Sequence, residues 1–257
     1  MTETGTYLYG IARDLDPNAL QEVRGVAGAS VRTVANGGLI ALVSTVSLDE
    51  FGEEALHDHL EDLDWLENVA RAHHRVVDAA SAVAPTAPTR LATIYRGDER
   101  VRQLLEERQK AFDTTLSRIG GRAEWGVKAY VDPQTSAQAT TEDAPAYGSA
   151  SPGTAYLMQR RAQQHTRQEA WQNAAARGEE IDTELRRVAE ASRRHPPQDP
   201  QLSGRDGWMV LNGAYLVDAD RAGEFTSMFT RLTERHPDVE LELTGPWAPY
   251  SFAGEDA

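Results

Sequence analysis

One helical pattern of unusual length constrains the fold of this chain more than any other feature. It begins at Thr154, ends near Arg194 before Pro196-Pro197, and places Trp171, Ala174, Ile181, Leu185 and Val188 on one stripe. An unbroken helix of this length would measure on the order of 60 Å. Gly178 is its one expected weak point. The β-rich runs 123–131 and 207–217 lie on either side, so the pattern predicts a long helix between two strands.

The C-terminal half therefore predicts a split βαβ unit. After the strand at 207–217 the sequence predicts a helix over 220–236 and a strand over 239–244. A short edge strand within 198–205 would complete the order of a ferredoxin-like fold. We expect a C-terminal domain over 121–257, with the Ala-, Thr-, Ser- and Pro-rich stretch 132–153 as a flexible loop.

The N-terminal half predicts a separate α+β domain over residues 1–120. Asn36-Gly37-Gly38 separates two β-rich runs and accepts the positive φ angles of a tight hairpin. Gly120-Gly121 ends the last helix. The expected elements are a strand at 6–12, a short helix through Val23, the hairpin arms 30–35 and 39–47, a helix at 53–83, a strand at 90–95 and a helix at 98–119.

The charge balance limits the classes of partner that the protein can bind. Lys plus Arg number 26 against 40 Asp plus Glu, a net charge of −14, which disfavours nucleic acid and anionic membrane surfaces. The absence of cysteine excludes disulfides, thiolate metal sites and a cysteine nucleophile. The N-terminus lacks a secretory leader pattern, and no run reaches the roughly 18 apolar residues of a membrane span. We expect a cytoplasmic protein without nucleic-acid or membrane partners.

No pattern points to a catalytic, metal or cofactor site. His57 and His59, at i,i+2 on a helix, face apart, as do adjacent His73 and His74. No glycine-rich loop opens a helix to hold a phosphate. We therefore expect no enzyme, no cofactor and no metal. Arg90 could bind an anionic ligand, although pairing with nearby carboxylates is favoured.

Arginines alternate with glutamates along the long helix. This mixture favours a self-standing charged helix, with docking to a partner helix as the alternative. The arginines are Arg160, Arg161, Arg167, Arg177, Arg186, Arg187, Arg193 and Arg194.

Two prolines and three aromatic rings follow the last predicted strand, in a chain with only 7% aromatic residues. We expect Trp247, Tyr250 and Phe252, stiffened by Pro249, to fold back over the sheet or the domain junction, with direct partner contact as the alternative. A buried Trp247 would make Trp247→Ala cost about 3 to 5 kcal/mol. The segment is thus predicted to hold the two domains together.

Seven short motifs, in order, carry a family resemblance over nearly the whole chain. They are Tyr7-Leu-Tyr-Gly-Ile11, Leu39-Ile-Ala-Leu-Val43, Leu91-Ala-Thr-Ile-Tyr95, Glu124-Trp-Gly-Val-Lys128, Gly153-Thr-Ala-Tyr-Leu157 with Arg160 and Arg161, Asn212-Gly-Ala-Tyr-Leu-Val217, and Gly245-Pro-Trp-Ala-Pro-Tyr-Ser-Phe252. With these motifs the chain resembles the gas vesicle protein family GvpL/GvpF. Family members often have phenylalanine and glycine where this chain has Leu91, Ala92 and Thr93.

The resemblance implies a two-domain α+β fold whose C-terminal part is a modified ferredoxin-like domain. It also implies a non-enzymatic accessory protein that assists assembly of the gas vesicle shell, or is a minor part of it, by binding the shell protein and other accessory proteins. The alternative is a ligand-binding or enzymatic ferredoxin-like protein. The candidate structural or partner-contact residues are Arg90, Trp125, Tyr156, Tyr215, Trp247, Pro249, Tyr250 and Phe252.

Overall fold

The computed structural model describes residues 3–59, 61–133, 152–198 and 207–254, except for the side chains of residues 152–159, 162 and 163. The chain divides into two compact units. The first comprises the residues up to Glu124 together with those from Pro246 onward, and the second extends from Trp125 to Gly245. Each unit has its own sheet and its own apolar core. The mixture of helices with two antiparallel sheets confirms the predicted fold class at this level.

The sheet of the first unit is built around its first strand. Its order is β2-β3-β1-β4, and β5 also pairs with β1. The hairpin predicted at Asn36-Gly37-Gly38 is confirmed, since Asn36 pairs with Leu39 and both glycines have positive φ. The strands are β1 (Thr4–Arg13), β2 (Arg32–Asn36), β3 (Leu39–Ser47), β4 (Thr86–Pro88) and β5 (Ile94–Tyr95).

Two helices that the sequence predicts as continuous are broken in the structure. Asp62 interrupts the first, because its carboxylate accepts hydrogen bonds from the amides of Asp64 and Trp65 and starts a new helix there. Arg108 interrupts the second with φ −117° and ψ 17°. The helices of this unit are α1 (Leu48–Phe51), α2 (Glu53–His59), α3 (Leu63–Ser81), α4 (Asp98–Glu107) and α5 (Gln109–Ile119).

The strand predicted over 90–95 is largely wrong. Only Ile94 and Tyr95 pair with β1, whereas Thr86–Pro88, which lies between the predicted elements, forms β4. Ala92 has a φ of 57°, a conformation that bends the chain, and its amide donates to the Tyr7 hydroxyl. This side-chain contact, distant in sequence, replaces the ladder of a regular strand.

The second unit places its helices and strands in the order strand, helix, strand, strand, helix, strand. Its sheet order is β7-β8-β6-β9. None of the described helices combines the length and apolar character needed to cross a bilayer. The elements are β6 (Arg122–Val131), α6 (Pro152–Arg186), β7 (Ala191–Arg194), β8 (Trp208–Asp218), α7 (Ala222–Arg235) and β9 (Val239–Trp247).

The long helix ends earlier than predicted. It stops at Arg186, and residues 191–194, predicted as helical, pair with β8 as an edge strand. The open edge of β8 offers hydrogen bonds that a helical pattern read locally does not reveal. Of the edge strand predicted within 198–205, only Gln198 is described, and it is not in a strand.

The predicted flexible loop over 132–153 lies for the most part outside the described residues. Its last two residues differ from the prediction, since Pro152 and Gly153 begin α6. Proline is accepted there because the first helical position has no intrahelical partner for its nitrogen.

The core of the second unit shows why Gly178 is not a weak point. Ile181 and Leu185 of α6 are fully buried with Phe225 of α7. A Cβ atom placed on Gly178 would lie 2.6 Å from the carbonyl oxygen of Val210. The glycine therefore lets the helix approach β8 closely, and α6 continues through it unbroken.

Candidate interaction surface

The C-terminal segment, residues 246–254, packs within the first unit. The Tyr250 ring centre lies 4.9 Å from that of His74, and Phe252 is 2% exposed. Ser251 donates its amide and its hydroxyl to the Glu124 carboxylate, at 2.7 and 2.6 Å. The predicted boundary near Gly120, with all later residues in one domain, thus differs from the observed units. The C-terminal segment returns to the first unit because its side chains contact residues that are distant in the sequence.

Trp247 departs from its predicted place. Its side chain is 52% exposed, whereas Ala248 and Pro249 directly after it are buried. Trp247 is the last residue of β9. The assumption that the Trp247 ring is buried is wrong, and of the three aromatic rings only those of Tyr250 and Phe252 are enclosed.

A cluster of tyrosine and histidine rings fills the centre of the first unit. The Tyr7 hydroxyl accepts a hydrogen bond from the amide of Ala92 at 3.1 Å and shares a second hydrogen bond with His73 Nδ1 at 3.0 Å. The Tyr9 hydroxyl accepts from the amide of Val26. Burial, aided by the charge of His74, lowers the pKa of His73 to about 4. The imidazole is thus neutral near pH 7. The sequence indicated only that His73 and His74 face apart, and no local pattern linked His73 to the two tyrosines.

A charged network lies within the second unit. The Tyr215 hydroxyl donates to the buried Asp182 carboxylate at 2.6 Å, and the Arg194 guanidinium lies 3.1 Å from the same carboxylate. Burial and the hydrogen bond to Asp182 raise the pKa of Tyr215. Trp125 is buried with its ring 5.9 Å from that of Phe225. Trp125 and Tyr215 therefore lie in the core, where they cannot touch a partner.

Two further candidate residues lie apart from these clusters. Arg90 is exposed, and among the described residues it does not form the predicted ion pair. The backbone of Tyr156 belongs to α6, but its side chain lies outside the described part of the structure. The structure therefore does not bring the candidate residues into one site.

The histidines do not converge on a metal. Within the described residues, no group of three or more His, Asp or Glu side chains is placed to hold an ion. His59 instead stacks on Trp65, with ring centres 5.0 Å apart and an angle of 15° between the rings.

A first open groove of about 560 Å³ lies along α5 in the first unit. The Arg108 guanidinium covers the Phe112 ring at 5.2 Å from its centre. Arg118 donates to the carbonyl oxygen of Phe252 and so joins α5 to the C-terminal segment. Two cations of this groove, Arg108 and Arg118, thus already serve intramolecular contacts.

A second groove of about 330 Å³ lies along the N-terminal half of α6. Trp171 is 42% exposed and meets Trp208 edge-to-face, with ring centres 5.3 Å apart. We call it the Trp–Arg groove, and its lining residues are Gln164, Arg167, Gln168, Trp171 and Trp208. The sequence placed Trp171 on the buried stripe and offered no signal that its ring is open.

Sequence comparison connects the whole chain with gas vesicle proteins. The family model "Gas vesicle synthesis protein GvpL/GvpF" matches residues 5–254. Gas vesicle protein L of Streptomyces sp. (strain CB03234) is 43% identical over 98% of this chain and 94% of its own length. Gas vesicle protein F of the same strain is 27% identical over 96% of this chain and 98% of its own.

Solved structures support the same fold. The crystal structure of gas vesicle protein GvpF from Anabaena sp. PCC7120 aligns with a TM-score of 0.74 at 20% identity, covering 98% of this chain and 96% of that one. GvpF from Microcystis aeruginosa aligns with a TM-score of 0.71 at 21% identity, covering 97% and 99%. Together with the family match over residues 5–254, this shows that the chain belongs to the gas vesicle GvpL/GvpF family.

Proposed function

We propose that this chain is a non-enzymatic gas vesicle accessory protein. It assists assembly of the vesicle shell, or is a minor component of it, by binding the shell protein and other accessory proteins in the cytoplasm. The observation that carries this proposal is the match to gas vesicle proteins from residue 5 to residue 254. A match of this extent includes both units, so it is not the sharing of one common domain.

The distribution of polar groups supports a binding role. The titratable groups with strongly raised or lowered pKa values that lie in the cores, among them His73 and Tyr215, are enclosed by neighbouring side chains. Because they are enclosed, these groups are not placed to meet a substrate. Exposed tryptophans at Trp171 and Trp247 provide the rigid aromatic surface that is enriched at protein interfaces.

The arrangement of the second unit supports a finer reading of the fold. We assign it as a modified ferredoxin-like domain, because its element order and its sheet order β7-β8-β6-β9 are those of a split βαβ arrangement. The first unit is then a separate α+β domain that includes the C-terminal segment. Native-state hydrogen exchange read by mass spectrometry tests this assignment, because two domains should lose the protection of their sheets at different denaturant concentrations.

Genetic complementation together with protein capture tests the function. Cells that lack the gene are expected to make few or no vesicles by electron microscopy, and an intact copy restores them. The purified, tagged chain is expected to capture the shell protein. Arg96→Glu, which changes an exposed arginine without a described ion pair, serves as the control variant that restores vesicles fully. Normal vesicle yield in the deletion strain together with no capture would overturn the proposal.

A further inference from the structure

The helix α6 has two halves with different surroundings. Along its C-terminal half, Ala174, Gly178 and Ile181 are buried against the unit's own sheet and helix. Between Arg160 and Glu169, Thr166 is half-buried and the other described side chains are exposed. Since Gln164, Arg167 and Trp171 precede Ala174 by ten, seven and three residues, they continue the same helical face. The face of α6 that packs in its C-terminal half therefore continues into the N-terminal half, where the described residues of this chain leave it exposed.

Positive charge is concentrated on this uncovered half. Residues 160–169 hold three arginines and one glutamate, in a chain with a net charge of −14. Arg160, Arg161 and Arg167 are exposed, and within the described residues none of them forms an ion pair. The single glutamate, Glu169, lies 3.3 Å from His165. A local positive surface remains on an acidic protein.

From these observations we infer that the Trp–Arg groove binds an acidic amphipathic helix of a partner protein. Its apolar ridge lies against Trp171 and Trp208, and its flanking carboxylates pair with Arg167, Arg160 and Arg161. The distance from Gln164 to Trp171 along α6 is about 10 Å, the length of two helical turns. Helix-in-groove contact uses anchors at this spacing. The inference rests on the proposed accessory function, because it specifies the chemistry of one partner.

Charge also separates this partner from two others. A symmetric contact between two copies through this surface would set arginines against arginines, which is unfavourable. A nucleic acid is a polyanion and would meet a protein of net charge −14. An acidic helix satisfies both the aromatic rings and the guanidinium groups.

A synthetic peptide tests the inference on the intact purified chain. The probe is a labelled helical peptide of ~18 residues, or five turns, with leucine at i, i+3, i+4 and i+7 and glutamate at most other positions. The matched control peptide has lysine in place of each glutamate. We expect saturable binding of the acidic peptide by fluorescence anisotropy, weaker at high salt, and no binding of the basic one.

Two variants locate the binding. Arg167→Glu and Trp171→Ala are each expected to weaken binding about tenfold or more, as truncation at an interface centre does. Arg96→Glu makes the same charge change in the first unit and is expected to alter binding by less than about twofold. Both groove positions are exposed, and circular dichroism of each variant verifies folding.

Four outcomes would overturn the inference. They are no binding of the acidic peptide, equal binding of both peptides, binding unchanged by Arg167→Glu and Trp171→Ala, and a groove-dependent interaction with something else. The last is measured as Trp171-dependent binding of phosphatidylglycerol vesicles, or as Arg167-dependent self-association in sedimentation without peptide. A failure of the peptide test leaves the vesicle-complementation result unaffected, so the two proposals fail separately.

Discussion

One cluster of aromatic rings in the first unit is enclosed, whereas a pair of tryptophans in the second unit is partly open. Around Tyr7 the rings of Tyr9, Phe51 and His73 lie within 6 Å of it, centre to centre, and all are buried. On α6, Trp171 and Trp208 also touch, yet Trp171 keeps 42% of its surface exposed. The first cluster stabilises its unit, whereas the second leaves apolar surface for a contact. Residue type alone does not distinguish these two uses.

The C-terminal segment contains the same contrast within a few residues. Phe252 is 2% exposed and Trp247 is 52% exposed. Two rings of one short motif thus have opposite surroundings, since one is buried and the other is half exposed. Stability measurements on single substitutions can test whether enclosure, rather than ring size, decides the effect.

The largest effect is expected at Phe252. Phe252→Ala removes a fully enclosed ring and should lower the free energy of unfolding by about 3–5 kcal/mol. Urea unfolding followed by circular dichroism measures it. The matched variant Trp247→Ala should cost about 1 kcal/mol or less, because half of this ring is already in water. A larger cost at Trp247 than at Phe252 would contradict the comparison.

The second-largest effect on the free energy of unfolding is expected from acid, through the enclosed cluster around His73. The pKa of His73 is about 4 in the folded protein and about 6.5 when exposed, so the unfolded chain binds more protons between these values. The contribution of neutral His73 to the free energy of unfolding is therefore fully present above pH 6.5. It falls by up to about 3 kcal/mol as the pH drops towards 4. Urea unfolding at a series of pH values measures this loss.

Two histidine variants assign the pH effect. His73→Gln should flatten the dependence between pH 6.5 and 4, since an amide does not titrate there. His74→Gln, at the exposed neighbouring position, should retain most of it. Equal slopes in all three proteins would show that other groups dominate the acid response.

The packed half of α6 should respond to a single methyl group. Gly178→Ala improves helix propensity, yet its Cβ would meet the Val210 carbonyl, so we expect a net loss of about 1–3 kcal/mol. Gly223→Ala is the matched control, because nothing lies within 4 Å of its Cβ position in α7. It should be neutral or slightly stabilising. Thermal unfolding of both variants decides, and a stabilised Gly178→Ala would disprove the close approach.

The smallest effect on stability is expected at the open groove. Trp171→Ala should lower the free energy of unfolding by about 1 kcal/mol or less, while peptide binding falls. Differential scanning calorimetry gives the first quantity. A loss as large as that of Phe252→Ala would place Trp171 among the enclosed rings instead.

Local sequence patterns predicted those elements whose determinants are local. The hairpin at Asn36-Gly37-Gly38 was predictable because only residues tolerant of positive φ fit such a turn. The strand ending in Val131 and the helix end at Gly120 follow from β-rich composition and glycine in the same way. The breaks at Asp62 and Arg108 were missed, since apolar periodicity continues across both.

The misplaced elements depend on distant partners. Residues 191–194 carry a helical pattern, but the edge of β8 pairs with them. Ala92 leaves the strand conformation where its amide meets the Tyr7 hydroxyl. In each case the partner lies at least 19 residues away along the chain, beyond any local window.

The sequence by itself determined the fold class and, through its motifs, the family, because secondary-structure patterns and turn residues act over a few positions. Only the tertiary structure decided which aromatic rings are enclosed and which are open. Tyr250 and Trp247 are three residues apart in one rigid motif, yet the first packs on His74 and the second is half exposed to solvent. Exposure depends on the neighbours that folding supplies, and those neighbours are remote in the chain.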